Sequence, residues 1–309
     1  MDNRYLSQHL QTKNVETHIQ TPPMRSLLFV PTNNPAFIKK AAMSAADAII
    51  LDLEDSILPE AKAEARQQVI TAANMLKENG HYVIVRINRP LHLAVLDISC
   101  AVRNNVDAIM ISKAQSKEHL TLLTEELSLA EAKNKMGKVT KLIPLIETPT
   151  GVMNIDEIAS HERVIALACG DEDLSAELEC DPQSRIIEAL KEPLIISASR
   201  YHRIPLGLIG TISEYKNLEL FKSYADNAHA LGLQGTLCIH PDQIAVANRS
   251  FTPNKKQIIH AEQIIDTFVR SNKEGKGVIS YNGRMIDAPI IERARNLLKR
   301  AAKFNKENF

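Results

Sequence analysis

The side chains best equipped for chemistry gather directly after short apolar runs. The second such run ends Leu51-Asp52-Leu53-Glu54-Asp55, the third Val85-Arg86-Ile87-Asn88 and the fourth at Lys113. The fifth ends Leu145-Ile146-Glu147-Thr148-Pro149 and the sixth Cys169-Gly170-Asp171-Glu172-Asp173. Carboxylates this close to buried segments are costly unless they meet water, a cation or hydrogen-bond donors. Clustered oxygen ligands, with no histidine or thiolate among them, suit a hard cation such as Mg²⁺. That ion takes one or two carboxylates and fills its other positions with water and substrate oxygens. Glu147 and Asp173, on successive runs, are the expected pair, with Asp52, Glu54, Asp55, Arg86 and Lys113 around them. A plainer reading stays open: acids at such ends also cap the following helix, and Asp171 and Asp173 could do only that.

Other candidates are weaker. His240-Pro241 follows the last apolar run, and a structural histidine at a helix start is its favoured reading. The Lys39-Lys40 and Lys255-Lys256 pairs and the lysines of 273–276 read as solvated faces. Asp287 lies between Gly283-Arg284-Met285-Ile286 and Ala288-Pro289, a pattern that favours a helix N-cap. There is no GxSxG or HExxH motif.

The elements that must position these residues alternate regularly. Apolar runs at Ser26–Val30, Ala48–Leu53, Tyr82–Ile87, Ala108–Ile111, Leu142–Ile146, Val164–Ala168, Pro205–Ile209 and Thr236–Ile239 read as strands buried on both faces. Segments of helical period lie between them, among them Pro59–Asn79, Lys117–Lys135, Ser184–Arg203 and Leu218–Leu231. Eight strand-then-helix units over Ser26–Asn248 fit a (β/α)₈ TIM barrel, whose strand C-terminal ends carry the active face. The first strand lacks the GxGxxG turn of a dinucleotide fold. The expected organisation is an N-terminal arm over residues 1–24, a catalytic barrel over 25–250, and a C-terminal helical extension or lid over 251–309. In that extension Pro253–Asn272 and Pro289–Lys303 read as helices and Lys273–Gly283 as a loop.

Composition narrows the function classes. Of 309 residues 44% are hydrophobic, enough for a large core, and 37 basic residues balance 37 acidic ones. Zero net charge argues against nucleic acid or an anionic membrane as partner. No apolar run is long enough for a bilayer, and the first residues lack a signal-peptide pattern. Tryptophan is absent and aromatics reach only 4%, which disfavours stacking platforms for bases. The scattered Cys100, Cys169, Cys180 and Cys238 read as reduced thiols of a cytoplasmic protein.

The ordered blocks Arg25-Ser-Leu-Leu-Phe-Val-Pro31, Ile50-Leu-Asp-Leu-Glu-Asp55, Val85-Arg-Ile-Asn88, Leu145-Ile-Glu-Thr148, Gly170-Asp-Glu-Asp-Leu174, Ile239-His-Pro241 and Gly283-Arg-Met-Ile-Asp-Ala-Pro289 add a resemblance. From Arg25 to about Arg300 the chain resembles the citrate lyase beta-subunit-like family, in the wider HpcH/HpaI aldolase group that includes malyl-CoA and citramalyl-CoA lyases. The resemblance implies a barrel with a C-terminal extension, assembled as a homotrimer or hexamer. It implies Mg²⁺ on Glu147 and Asp173, with Glu54 and Asp55 supporting metal-bound waters. Arg86 would contact the substrate, and Asp171 and Glu172 are assigned to substrate binding with it. Asp287 would act as acid/base from the lid, often in a neighbouring subunit, which displaces the cap reading. Thr32, Asn34 and Ser112 depart from residues frequent in the family, and bear on coenzyme contacts at the first and fourth strand ends.

The implied reaction is cleavage of a 3-hydroxyacyl-CoA thioester to acetyl-CoA and a 2-oxo acid. (S)-Citramalyl-CoA, giving pyruvate, is the preferred substrate. Malyl-CoA, or a citryl thioester on a carrier protein, is the alternative. A non-catalytic acyl-CoA-binding or scaffold role is the contrasting class.

Overall fold

The computed structural model describes residues 22–273, 279–281 and 284–305. Eight parallel strands are β1 (Ser26–Pro31), β2 (Ala48–Asp52), β3 (Tyr82–Ile87), β4 (Ala108–Ile111), β5 (Lys141–Ile146), β6 (Ala166–Cys169), β7 (Ile204–Leu206) and β8 (Thr236–Cys238). They lie in the order β7-β6-β5-β4-β3-β2-β1-β8. The two ends of that order meet through Gln234 N–H to the Pro205 carbonyl and Gly207 N–H to the Gly235 carbonyl, both at 2.9 Å. The sheet is therefore a nearly closed (β/α)₈ barrel, as the strand count implies.

Strand side chains alternate between two cores. Ile50, Ile84, Met110 and Ile143 fill the barrel interior. Their neighbours Ile49, Leu51, Val83 and Val85 pack outward against the helices. Both faces are dry, which is why the strands read as unbroken apolar runs. The surrounding helices are α1 (Pro35–Ala42), α2 (Lys62–Glu78), α3 (Leu91–Ala101), α4 (Lys117–Lys133), α5 (Pro149–Met153), α6 (Ile155–Ser160), α7 (Asp171–Glu177), α8 (Arg185–Ala189), α9 (Lys191–Arg200), α10 (Leu218–Leu231) and α11 (Asp242–Ser250). The longer ones turn an apolar stripe inward. In α2 that stripe is Ala65, Val69, Ala72, Ala73 and Leu76, at helical spacing.

Several expectations change. The single helix expected over Ser184–Arg203 is two, α8 and α9, broken at Leu190. Pro193 explains the break: it lacks an N–H and its ring would clash with the carbonyl four residues back, so it fits only a first turn. Met24, placed in the arm by sequence, is buried against the barrel interior. A Cβ on Gly235 would lie 1.7 Å from the Met24 carbonyl oxygen, so this close approach needs glycine. The rest of the expected arm, residues 1–21, lies outside the described residues.

The C-terminal segment holds α12 (Lys255–Lys273), β9 (Ile279–Tyr281), β10 (Arg284–Ile286) and α13 (Ala288–Asn305). β9 and β10 pair antiparallel, where composition suggested a loop. The overlooked signal is Asn282-Gly283 between two β-rich triplets, the strongest short-range hairpin pattern. Ala261, Ile264, Ile286, Ile291 and Ala294 form a small core of their own. The far end of α13 meets the barrel: the Arg25 guanidinium lies 4.4 Å from the Phe304 ring centroid, and Arg300 lies 3.2 Å from His229 Nε2. No described helix is long and apolar enough to cross a membrane.

Candidate active site

The register of β2 and β3 places Asp52 beside Arg86. Asp52 Oδ1 accepts from Arg86 Nε at 2.7 Å and Oδ2 from Nη2 at 2.6 Å. The same carboxylate accepts the backbone N–H of Glu54 at 2.9 Å and of Ser56 at 3.1 Å. Burial pushes its pKa up, but the Arg86 ion pair outweighs it and holds the acid below the usual carboxylate range. Asp52 is thus fully committed to orienting Arg86 and the turn after β2. The remaining guanidinium nitrogen of Arg86, Nη1, lies 3.0 Å from Glu54 Oε2 and 3.2 Å from Asp55 Oδ2. The Phe29 ring stacks 4.7 Å from the guanidinium carbon.

Glu54 is buried and its pKa is pushed up to about 7, chiefly by desolvation, with Arg86 opposing. Ser112 Oγ lies 2.6 Å from Glu54 Oε2, so this departure from the family pattern touches the acid cluster itself. From below, Lys62 Nζ donates to the carbonyls of Leu53 and Glu54 and to Asn88 Oδ1, at 2.7–3.0 Å. Asp97 in turn accepts from Asn88 Nδ2 at 2.7 Å, so the Glu54 backbone rests on a closed polar network.

Glu147 follows β5 and is 2% exposed. Its Oε1 accepts the backbone N–H of Lys113 at 2.7 Å. Lys113 takes a left-handed φ of 49° to present that amide, a conformation uncommon outside glycine. Its Nζ reaches Asp173 Oδ1 at 3.0 Å, so one residue joins both acids. Desolvation, then the charges of Glu54 and Asp173, push the Glu147 pKa up to about 8. Space for its carboxylate comes from Gly170, where a Cβ would sit 2.5 Å from Glu147 Oε2.

Asp171, Glu172 and Asp173 occupy the first turn of α7, behind an N-cap, Gly170, that makes no side-chain bond. None is therefore the N-cap that the plainer sequence reading offered. Asp171 Oδ1 is bonded to Lys191 Nζ at 2.6 Å and to the Cys169 thiol at 3.0 Å. Glu172 is exposed and bonds the hydroxyls of Thr211 and Ser213 in the loop after β7. Gln243, wholly buried, ties that loop to the one after β8: its Nε2 donates to the Ile212 carbonyl and its Oε1 accepts from Ile239 N. His240 stacks on Tyr215 with ring centroids 5.0 Å apart.

One pocket collects Arg86, Glu147, Asp171, Glu172 and Asp173, with an apolar wall that includes Phe29, Leu145, Leu208, Ile212 and Leu237. Glu54 and Asp55 join it through Arg86. Asp287 does not line it: the residue is exposed and its Oδ1 accepts the Ile290 N–H at 3.2 Å, as a helix cap does. Sequence reading missed the apolar wall, because its residues look like ordinary core. It also missed Lys191, because a lysine at a helix start normally reads as solvated.

The donor set fits a hard cation. Glu147 and Asp173 offer only oxygen, and Glu147 lacks a buried counter-charge of its own. Among the described residues no group of three or more His, Cys, Asp or Glu encloses a metal position. Two protein carboxylates with the remainder left to water and ligand is the Mg²⁺ regime.

Known proteins resemble this chain in sequence and fold. The family described as HpcH/HpaI aldolase/citrate lyase matches residues 25–241. Citrate lyase subunit beta of Haemophilus influenzae is 33% identical over 284 residues, covering 90% of this chain and 96% of that protein. The L-malyl-CoA/beta-methylmalyl-CoA lyase of Cereibacter sphaeroides is 30% identical over 302 residues, covering 90% and 95%. Protein CitE from Mycobacterium tuberculosis, solved in complex with magnesium, acetoacetate and coenzyme A, has a TM-score of 0.71 at 26% identity and covers 91% of this chain and 99% of its own. A citrate lyase from Burkholderia xenovorans, with a TM-score of 0.80 at 17% identity over 94% and 95% of the two chains, is a likeness of fold alone. The chain belongs to the HpcH/HpaI aldolase/citrate lyase family.

Proposed function

We propose that this protein is a Mg²⁺-dependent carbon–carbon lyase that cleaves (S)-citramalyl-CoA to pyruvate and acetyl-CoA. The observation that carries the reading is the buried, cation-poor Glu147 beside Asp173, in the same pocket as Arg86. Mg²⁺ held by Glu147 and Asp173 would supply Lewis-acid polarisation of the substrate oxygens. Three of the five N–H donors of Arg86 are hydrogen-bonded to Asp52 and Asp55 among the described residues, and Nη1 also lies at ion-pair distance from Glu54; an Nη2–H is left for a ligand. Arg86 uses it to steady the negative charge that grows on the thioester oxygen as the carbon–carbon bond breaks. A base takes the hydroxyl proton, the oxo acid leaves, and proton return to the enolate carbon gives acetyl-CoA. Asp287 is that acid/base. In this chain Asp287 is exposed and lies outside the pocket lining, and this supports its delivery from a neighbouring subunit of a homotrimer or hexamer. Residues 251–309 act as the lid, and Asp171 and Glu172 shape the substrate side of the pocket. Four free thiols suit a cytoplasmic setting.

The pocket wall supports the choice of oxo acid. A citryl group adds a carboxylate, but Arg86 is the one basic residue lining the pocket among the described residues and is already paired. A methyl group fits Leu208, Ile212 and Leu145 without a charge partner. The citrate lyase reading rests on the 33% identical relative. A coupled assay with citramalyl-, malyl- and citryl-CoA, with and without Mg²⁺, tests the proposal. Metal-dependent turnover of citramalyl-CoA is expected; faster citryl cleavage would reverse the substrate choice, and no turnover of any thioester would sink the lyase reading. Mixing inactive Asp287→Asn and Glu147→Gln variants under conditions that exchange subunits should restore activity if the lid acts in trans.

A further inference from the structure

Lys191 is among the largest fully buried side chains, 1% exposed, on the first turn of α9. Its Nζ has two acceptors, Asp171 Oδ1 at 2.6 Å and the Ile187 carbonyl at 3.1 Å. Removing an ammonium from water this completely costs several kcal/mol, so its partner must be held in a defined place. That partner lies in a sensitive stretch. Asp171 directly follows Gly170, which clears room for Glu147, and precedes Asp173 by two residues. Cys169, one residue before Gly170, donates its thiol to the same Oδ1. One buried ion pair therefore couples α9 to the turn that sets Glu147 and Asp173 relative to each other. The reaction described above gives Lys191 no chemical step.

We propose, on the metal reading given above, that Lys191 is a positioning residue whose bond to Asp171 fixes the Gly170–Asp173 turn so that Glu147 and Asp173 can bind one cation. A pair that merely fills the core predicts a different outcome: lost stability with unchanged affinity in whatever remains folded.

The test is Mn²⁺ titration of the full chain, followed by water-proton relaxation, alongside thermal unfolding. Lys191→Met should weaken Mn²⁺ binding about 10- to 100-fold, the range seen when groups supporting a metal ligand are removed. Lys191→Arg, which keeps a cation at the pair, should recover part of that loss. Because Lys191→Met strands a buried acid and threatens folding, Lys191→Met with Asp171→Leu is the companion variant. Removing both partners of a buried pair is commonly near neutral for stability. The double variant should unfold close to the parent temperature and still bind Mn²⁺ at least about tenfold more weakly. Parent-like affinity in the double variant overturns the positioning role and leaves the metal reading standing. Failure of the parent protein to bind Mn²⁺ overturns the metal reading, and this role with it.

Discussion

The two halves of the barrel mouth treat carboxylates in opposite ways. On the β2–β3 side, strand register delivers a cation: Asp52 pairs across to Arg86, and the guanidinium reaches Glu54 and Asp55 as well. On the β5–β6 side, register pairs Ile146 with Cys169, so the next position opposite Glu147 is Gly170, which has no side chain. Glu147 is as buried as Asp52, yet no ion pair to it is found among the described residues: the Lys113 ammonium is bonded to Asp173, and the Arg86 guanidinium to Asp52, Glu54 and Asp55. A carboxylate after the same kind of apolar run is thus a scaffold on one side and, on the reading proposed above, a metal ligand on the other. What separates them is whether the adjacent strand brings a positive charge.

The largest expected effect breaks the ligand side. Glu147→Gln or Asp173→Asn should lower kcat/KM on the order of 10²–10³-fold, comparable to removing one charge-stabilising group. Circular dichroism should show the fold intact. Arg86→Met should instead damage the scaffold side, costing about 3–5 kcal/mol of stability in denaturant unfolding, because Asp52 is left buried without its partner. If the Arg86 variant unfolds like the parent, the contrast between the halves fails.

A pH experiment sharpens the comparison. Glu147 titrates near 8 in the metal-free fold against 4.5 when exposed, so between those values the folded chain holds a proton that the unfolded chain has lost. Metal-free stability should then fall as pH rises from about 4.5 to 8, and Mg²⁺ should restore it. Apparent Mg²⁺ affinity should climb with pH up to about 8, at most tenfold per unit, and then level, as calorimetry can show. Glu147→Gln should flatten the affinity trend and shrink the stability trend to the part below about 7 that belongs to Glu54. Asp52, held low by Arg86, adds nothing across that window. Gly170→Ala should have the smallest effect, weakening Mg²⁺ affinity roughly tenfold, since its Cβ would displace Glu147 by way of a 2.5 Å contact.

The barrel was legible because its strands are dry on both faces and its helices carry regular stripes. The break before Pro193 and the pairing of β9 with β10 were written in a few residues, which periodicity averages away. The meeting of Glu147 and Asp173 in one pocket was legible from their place at strand ends. The split between Asp52 and Glu147 was not, because it depends on cross-strand register. Lys191 lay beyond sequence reading, since its burial is set by how α8 and α9 meet α7. For Asp287, the capping pattern read from sequence is what the single chain displays, and the family resemblance concerns an assembly.

The seam between β7 and β8 carries a last consequence. Other neighbouring strands share ladders of up to five residue pairs, whereas this junction has two backbone hydrogen bonds and one bridge among the described residues. Native-state opening takes the path with fewest bonds to break, so fluctuations of the barrel concentrate here. Leu208 and Ile212 follow the seam directly and line the pocket. Amide hydrogens at Gly207 and Gln234 should therefore exchange with deuterium faster than those of β2 and β3. The apolar wall of the pocket would breathe, while the ion-paired wall opposite stays rigid.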